Sequence, residues 1–199
     1  HSFPTRRSSD LTVCRGDVTL LSNAVTGGVW TSSNPAVATI GSSAGDVTGV
    51  TAGTSSIVYT IGGSCTASKI ITVNPAAPVT GGTAVCVGMT TTLSNAVPGG
   101  TWSTTNPAIT TITPLGPDPI TGDDQLKIIG VNPGGIAIIN YVTASGCVSS
   151  YTVTVYPGAT VTPQIDTICV GATDTLTASI SGGTWLSEDV TIATVTGVS

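Results

Sequence analysis

Residues 27–40 read GGVWTSSNPAVATI, and residues 99–112 repeat this phrase as GGTWSTTNPAITTI. A third version, GGTWLSEDVTIATV, occupies residues 182–195. The tryptophans that mark the three copies are spaced 72 and then 83 residues apart, at Trp30, Trp102 and Trp185. A repeat period of this length indicates a tandem array of similar structural units.

Each copy consists of short runs rich in Val, Ile and Thr, separated by Gly, Pro, Asn and Ser. The first copy holds about seven such runs, and none of its windows has helical spacing over a useful length. Asn34-Pro35 interrupts one run, because proline has no amide hydrogen to donate to a strand ladder. The sequence therefore predicts an all-β fold built of sandwich domains.

Domain boundaries follow from the repeats and from the proline-containing segments between them. The second copy is longer than the first, and its extra length falls within residues 113–125; insertions of this kind belong in surface loops. The third copy stops before its later strands. We expect two complete domains and a truncated third, at residues 12–75, 76–157 and 158–199.

The first eleven residues, HSFPTRRSSDL, do not share the composition of the repeats, since they hold the only histidine and the only phenylalanine. They resemble the translation of a common sequencing adapter, so we leave residues 1–11 out of the fold prediction as a non-native segment. A natural flexible linker is the alternative. With the interrupted third copy, this segment suggests a piece of a longer protein.

The composition argues against several classes of function. Charged residues make up 8% of the chain, the formal charge is −5, and the pI is about 4.3. A nucleic-acid partner would need a basic face, and no apolar run is long enough to span a membrane. The one histidine is His1, and the carboxylates have no repeated partner. Ser and Thr hydroxyls therefore lack a base, which predicts a non-enzymatic chain without a cofactor.

The five cysteines follow the repeat. Cys14, Cys86 and Cys169 share one position, which we call the opening cysteine, and Cys65 and Cys147 share another, the closing cysteine, just before the last strand of a copy. We expect disulfides Cys14–Cys65 and Cys86–Cys147, with the partner of Cys169 lost by truncation. Such bonds would place the protein in an oxidising compartment. Buried free thiols are the alternative.

Two segments carry a family resemblance. Residues 30–40 read WTSSNPAVATI, and residues 45–57 read GDVTGVTAGTSSI. They resemble the bacterial immunoglobulin-like group 2 family, and the paired cysteines resemble variants in large surface proteins of Bacteroidetes-type bacteria. The resemblance covers nearly all of residues 12–199, and is partial in the third copy. It implies tandem immunoglobulin-like β-sandwich domains in a secreted or surface-anchored protein, where they act as stalks or adhesive modules.

Three sets of residues invite sharper hypotheses. Arg15-Gly16-Asp17 spells an integrin-recognition tripeptide, but the second copy has Val87-Gly88-Met89 there, which favours a turn that requires only the glycine. Carboxylates of the inserted loop could offer oxygen ligands to calcium. The repeated tryptophans could stack on sugars, although their equivalent strand positions favour core anchors. The calcium candidates are Asp118, Asp123 and Asp124.

Two function classes remain. The first is a structural or adhesive repeat module of a bacterial cell-surface or secreted protein, whose ligand, a protein or a glycan, is bound outside this piece. The alternative is a spacer or carbohydrate-binding appendage of a secreted enzyme. Several copies in tandem favour the first, and an exposed row of aromatic side chains would favour the second.

Overall fold

The computed structural model describes residues 11–164 and 167–197. All regular secondary structure in these ranges is β. By compactness the chain divides into two units, one ending at Tyr156 and the other starting at Pro157. Within the same ranges, no helix is long and apolar enough to cross a membrane.

The first unit contains two β-sandwiches. The first sandwich has a four-stranded sheet in the order β1-β7-β6-β3 and a three-stranded sheet in the order β2-β5-β4. Its strands are β1 Leu11–Cys14, β2 Val18–Leu20, β3 Val29–Ser32, β4 Ala38–Ile40, β5 Asp46–Gly49, β6 Gly53–Ile61 and β7 Cys65–Asn74.

The second sandwich repeats this plan with one more strand. Its sheets have the orders β12-β13-β10-β8 and β11-β14-β15-β9. The strands are β8 Val79–Gly81, β9 Ala84–Cys86, β10 Thr90–Asn95, β11 Thr101–Thr104, β12 Thr110–Pro117, β13 Asp124–Gly130, β14 Gly135–Val142 and β15 Val148–Tyr156. In the second sandwich, β8, β10, β13 and β12 correspond to the ABED sheet of an immunoglobulin domain, and β11, β14 and β15 to its CFG sheet, with β9 added at the edge beside β15. The first sandwich has the same arrangement without a counterpart of β8 among its described residues.

Alternating side chains explain why these runs form half-buried strands. In β13 every second residue of DQLKIIG is buried. The inward-facing residues of the two sheets meet in one core per sandwich, and the packing of such apolar side chains is the main favourable term in folding. The first core contains Val47, Ile57 and Ile71. The second contains Leu93, Leu126 and Ile139. The predicted all-β, immunoglobulin-like fold is confirmed.

In each sandwich the strand that ends at the opening cysteine, β1 or β9, pairs in parallel with the last strand, β7 or β15, and this decides where the cysteines lie. In the first sandwich Cys14 is paired with Asn74, the last residue of β7. In the second, Cys86 is paired with Tyr156, the last residue of β15. In each sandwich, the end where the last strand finishes is called the upper end. The hairpin turn that enters the last strand is then at the lower end.

The extra residues of the second copy lengthen the hairpin of β12 and β13. These strands pair from Thr110↔Gly130 to Pro117↔Asp124, with a register shift between Pro114 and Gly116. The Asp118 carboxylate accepts hydrogen bonds from the backbone amides of Ile120 (2.8 Å) and Thr121 (3.0 Å), which closes the turn. The inserted residues therefore extend a hairpin rather than forming a separate loop.

The second unit, from Pro157 onward, carries two short strands. β16 (Val161–Thr162) pairs with β17 (Thr177–Ala178) in the register Val161↔Ala178. The second sandwich has the same pairing at Asn95↔Val79, between β10 and β8. The third copy thus reproduces the pairing of its first two main strands, and the domain boundaries drawn from the sequence remain predictions.

Candidate functional site

A tight turn follows the opening cysteine in every copy. The Asp17 amide donates to the Cys14 carbonyl oxygen (3.0 Å), and Gly16 has φ +89°, a conformation that glycine adopts without strain. The same bond joins Met89 to Cys86 (3.0 Å) and Ala172 to Cys169 (2.9 Å). The turn therefore belongs to the repeat and requires only its glycine.

The Arg15-Gly16-Asp17 tripeptide lies on this turn with all three residues exposed. The Arg15 amide donates to the carbonyl oxygen of Asn74 (3.0 Å), and the Gly16 amide donates to that of Gly49 (2.9 Å). Val87 and Gly88 make the equivalent bonds to Tyr156 and Gly130, each 2.9 Å long. Because apolar residues make the same turn, the arginine and the aspartate are variable positions of the motif.

The disulfide connects the two sandwiches instead of closing either one. Cys14 is bonded to Cys147, with a Cα–Cα distance of 5.7 Å. Cys65, Cys86 and Cys169 are free and exposed. The predicted pairs Cys14–Cys65 and Cys86–Cys147 are therefore wrong.

Strand direction explains this difference. Because β1 runs parallel to β7, its last residue, Cys14, lies beside Asn74 at the upper end, whereas Cys65 begins β7 at the lower end. The nine steps from Cys65 to Asn74 span about 30 Å in a strand, far beyond the reach of a disulfide, whose Cα atoms lie within about 7 Å. The same reasoning separates Cys86 from Cys147.

The junction between the sandwiches is held by more than the disulfide. The Ala77 carbonyl oxygen accepts hydrogen bonds from the Ser149 hydroxyl (2.7 Å) and from the Asn95 Nδ2 (2.8 Å). These bonds hold the segment that follows Asn74 against the lower end of the second sandwich. A shallow groove of about 320 Å³ lies there, lined by Arg15, Gly16, Ala76, Ala77, Pro78, Val148 and Ser149.

Trp30 lies on β3 and Trp102 on β11, and both pack inward, whereas Trp185 lies outside the strands of the third copy. Trp30 is partly buried against the first core, and its ring centroid is 4.5 Å from that of Tyr59. Trp102 packs against the second core, with its centroid 4.5 Å from that of Tyr141. Trp185 of the third copy is half-buried. Tilted aromatic pairs of this kind contribute about 0.5–1.5 kcal/mol beyond the area that they bury.

Each tyrosine of these pairs also fixes the loop before the tryptophan strand. The Gly28 amide donates to the Tyr59 hydroxyl (2.8 Å), which donates to the Val25 carbonyl oxygen (2.9 Å). The Gly100 amide donates in the same way to the Tyr141 hydroxyl (2.8 Å). These tyrosines were not among the residues predicted from the sequence, although each lies six residues before the closing cysteine of its copy, which was a signal.

A buried carboxylate distinguishes the second sandwich. Asp124 Oδ2 accepts hydrogen bonds from the amides of Gly99 (2.8 Å) and Gly100 (3.2 Å). The Tyr141 hydroxyl lies 2.6 Å from this oxygen and 2.6 Å from the Val97 carbonyl oxygen, and its one proton is donated to either. Burial and the hydrogen bond to Asp124 raise the pKa of Tyr141 to about 12.

The three calcium candidates, Asp118, Asp123 and Asp124, lie in different environments. Asp118 closes its own turn and accepts a further hydrogen bond from Gln125 Nε2 (2.7 Å). Asp124 faces inward toward Tyr141, and Asp123 is half-buried beside the turn. In the part of the chain that the structure describes, no group of three or more His, Cys, Asp or Glu residues is placed to hold a metal ion. The Asp118 carboxylate therefore serves the turn of its own hairpin, and the Asp124 carboxylate serves the loop at Gly99 and Gly100.

Comparisons with known proteins give a partial structural likeness. No family model matches the chain, and no curated protein matches it. It is similar to the C-terminal 282-residue fragment of intimin, solved with the intimin-binding domain of its translocated receptor, at 15% identity and a TM-score of 0.37 over 69% of this chain and 54% of that one.

Two further solved structures are similar in the same way. The Escherichia coli adhesin FdeC is 14% identical with a TM-score of 0.32, over 74% of this chain and 58% of that one. Domains 4 and 5 of the S-layer protein SbsC are 17% identical with a TM-score of 0.30, over 65% and 70%. At these identities and TM-scores the likeness carries no argument about function.

Fold and junction together define the class of protein. The chain is a tandem array of immunoglobulin-like β-sandwiches, as the strand orders of its two complete sandwiches show. A disulfide joins these two sandwiches end to end.

Proposed function

We propose that the chain is a non-catalytic structural or adhesive repeat module of a bacterial cell-surface or secreted protein. The observation that carries this proposal is the Cys14–Cys147 disulfide, which connects the upper end of one sandwich to the lower end of the next. A covalent bond at this junction resists separation of the domains, which is the requirement of a stalk. An enzyme appendage has no comparable need.

The disulfide also determines how a pulling force would travel through the chain. Force applied to the chain ends passes along β1 to Cys14, crosses to Cys147 and leaves along β15. The residues between the two cysteines form a closed loop, since the bonded residues are 133 positions apart. The remaining strands of both sandwiches lie in this loop and carry none of the tension. The domains would therefore stay folded while the chain is under load.

The same bond supports a location outside the cytoplasm. Disulfides persist in secreted and surface proteins and are reduced in most cytosolic ones. The sparse charge, at 8% of residues, and the net charge of −5 do not provide the basic surface that nucleic acids attract. The ligand of the parent protein, a protein or a glycan, is then bound outside the two sandwiches.

Force spectroscopy of the full chain tests the stalk function. With the disulfide formed, stretching should release only the segments outside the loop, and a reductant should release the loop as well. Equal extension before and after reduction would contradict the proposal.

A glycan array distinguishes the alternative, a carbohydrate-binding appendage of a secreted enzyme. We expect no strong signal, because Trp30 and Trp102 pack against the domain cores. Saturable glycan binding, verified by titration in solution, would favour the appendage.

A further inference from the structure

The free cysteines of the two sandwiches occupy the same positions as the bonded pair. Cys65 stands opposite Ile61 in the strand register, and Cys147 is held opposite Thr143 by a hydrogen bond from the Thr143 amide to its carbonyl oxygen (2.9 Å). Cys86 is equivalent to Cys14, because each is paired with the last residue of its final strand. Each sandwich therefore has an opening cysteine at its upper end and a closing cysteine at its lower end.

The one junction inside the first unit shows how these positions meet. The opening cysteine of the first sandwich is bonded to the closing cysteine of the second. That bond leaves Cys65 at the lower end and Cys86 at the upper end of the pair, both exposed. The pair thus has an unused closing cysteine at one extremity and an unused opening cysteine at the other.

We infer that Cys65 and Cys86 form this same disulfide with further copies of the module, each opening cysteine bonding to the closing cysteine of the next copy. The repeats would then be linked by a continuous series of disulfides along the array. This inference rests on the proposed array function and adds a covalent connection to it. Its partner is a second copy of this module.

The surface around Cys86 fits such a partner. Met89 and Tyr156, in the turn and the strand end beside Cys86, are 65% and 54% exposed. Val131 is 40% exposed and follows Gly130, whose carbonyl oxygen accepts a hydrogen bond from Gly88 of that turn. Near the lower end of the first sandwich, Val25 and Val29 are 58% and 53% exposed. Docking the two ends would bury apolar surface on both sides, in addition to forming the bond.

Bond formation requires an oxidant, and a disulfide such as oxidised glutathione provides it. The thiolate of one cysteine attacks a glutathione sulfur and releases one glutathione thiolate. The second cysteine, as its thiolate, attacks the protein sulfur of this mixed disulfide and releases the other. Two protein thiols become one disulfide, and oxidised glutathione becomes two reduced molecules.

Two variants of the full chain test the inference. Both carry Cys169→Ser, and one adds Cys65→Ser while the other adds Cys86→Ser, so that each retains a single free thiol beside Cys14–Cys147. One variant is isotopically labelled. The two are mixed with oxidised glutathione at about 1 mM protein, the effective concentration that a short linker supplies. Dimers are resolved by non-reducing mass spectrometry.

We expect dimers joined by Cys65–Cys86 to exceed either homodimer at least tenfold, whereas random oxidation would give only a twofold excess. A statistical mixture, a predominance of homodimers or no dimer would overturn the inference. Circular dichroism and an intact Cys14–Cys147 bond establish that both variants are folded. Because the readout is a bond between purified chains, it is independent of the force and glycan tests of the proposed function.

Discussion

Replacing Cys14 by serine should lengthen the chain that unfolds under force by a predictable amount. With the disulfide intact, the residues between Cys14 and Cys147 are bypassed when the chain ends are pulled. The Cys14→Ser variant removes the bypass and leaves the thiol of Cys147 without its partner. The change from sulfur to oxygen is small, so the altered connectivity is the main difference.

The extra length follows from the loop that the bond closes. The two cysteines are 133 residues apart, and each extended residue spans at most about 3.3–3.6 Å. Loss of the bond therefore adds about 460 Å of contour length. The same loop predicts a loss of about 5 kcal/mol in the free energy of unfolding, in the chain-entropy description of disulfides.

Single-molecule force spectroscopy measures this length directly, with handles at both ends of the full chain. Cys65→Ser is the matched control, because it makes the same substitution at an exposed free cysteine and should leave the contour length unchanged. Adding a reductant to the unmodified chain should reproduce the Cys14→Ser value. An unmodified, oxidised chain that extended as far as the variant would refute the connectivity and the force path derived from it.

The other predictions concern stability. Gly100→Ala should cost about 1–3 kcal/mol of unfolding free energy in denaturant, because a Cβ there would lie 2.6 Å from the Val142 carbonyl oxygen and overlap the Tyr141 ring. Gly183→Ala, at the equivalent position of the third copy, has no atom within 4 Å and should be neutral; equal losses would contradict this reasoning. The folded-state pKa of Tyr141, about 12 against an ordinary 10.0, is raised, so its contribution to stability is complete below pH 10 and is lost as the pH rises toward 12. In urea unfolding across this pH range, with the free thiols alkylated, the free energy of unfolding should therefore fall more steeply in the unmodified chain than in Tyr141→Phe. Parallel curves would exclude the effect. Backbone amides of Thr121 and Ile120 lower the pKa of Asp118, so its contribution is present above the ordinary value of 3.8 and is lost as the pH falls below it. In the same assay, Asp118→Asn should lose less unfolding free energy than the unmodified chain as the pH falls below 3.8. An equal loss would show that the turn does not depend on the charge.

Much of the fold could be predicted from the sequence because it depends on short-range features. Short runs of Val, Ile and Thr predicted about seven strands in the first copy, and its sandwich has β1 to β7. The glycine that recurs after each opening cysteine favoured a turn, and Gly16 lies on one. The repeated tryptophan positions predicted equivalent core anchors, and Trp30 and Trp102 pack against their domain cores. The lengthened second copy was also visible, although its extra residues extend a hairpin instead of forming an irregular loop.

The buried carboxylate of the second sandwich was harder to predict, because its partners come from different strands. Asp124 is one of three carboxylates in the inserted segment, and the sequence does not distinguish it from Asp118. Only the length of β13 places it beneath the loop at Gly99 and Gly100, where it accepts two amide hydrogens. Its partner Tyr141 is seventeen residues away on another sheet. Such a contact follows from sheet packing and not from local pattern.

The sequence by itself determined that the protein is a repeat of β-sandwiches with two cysteine positions per complete copy. Only the tertiary structure decided which cysteines meet. The repeat places an opening and a closing cysteine in neighbouring strands, but a disulfide depends on the positions of the two Cα atoms in space. Because those strands run parallel, the two cysteines of one sandwich lie at opposite ends. The end-to-end placement of consecutive sandwiches then brings Cys14 to Cys147.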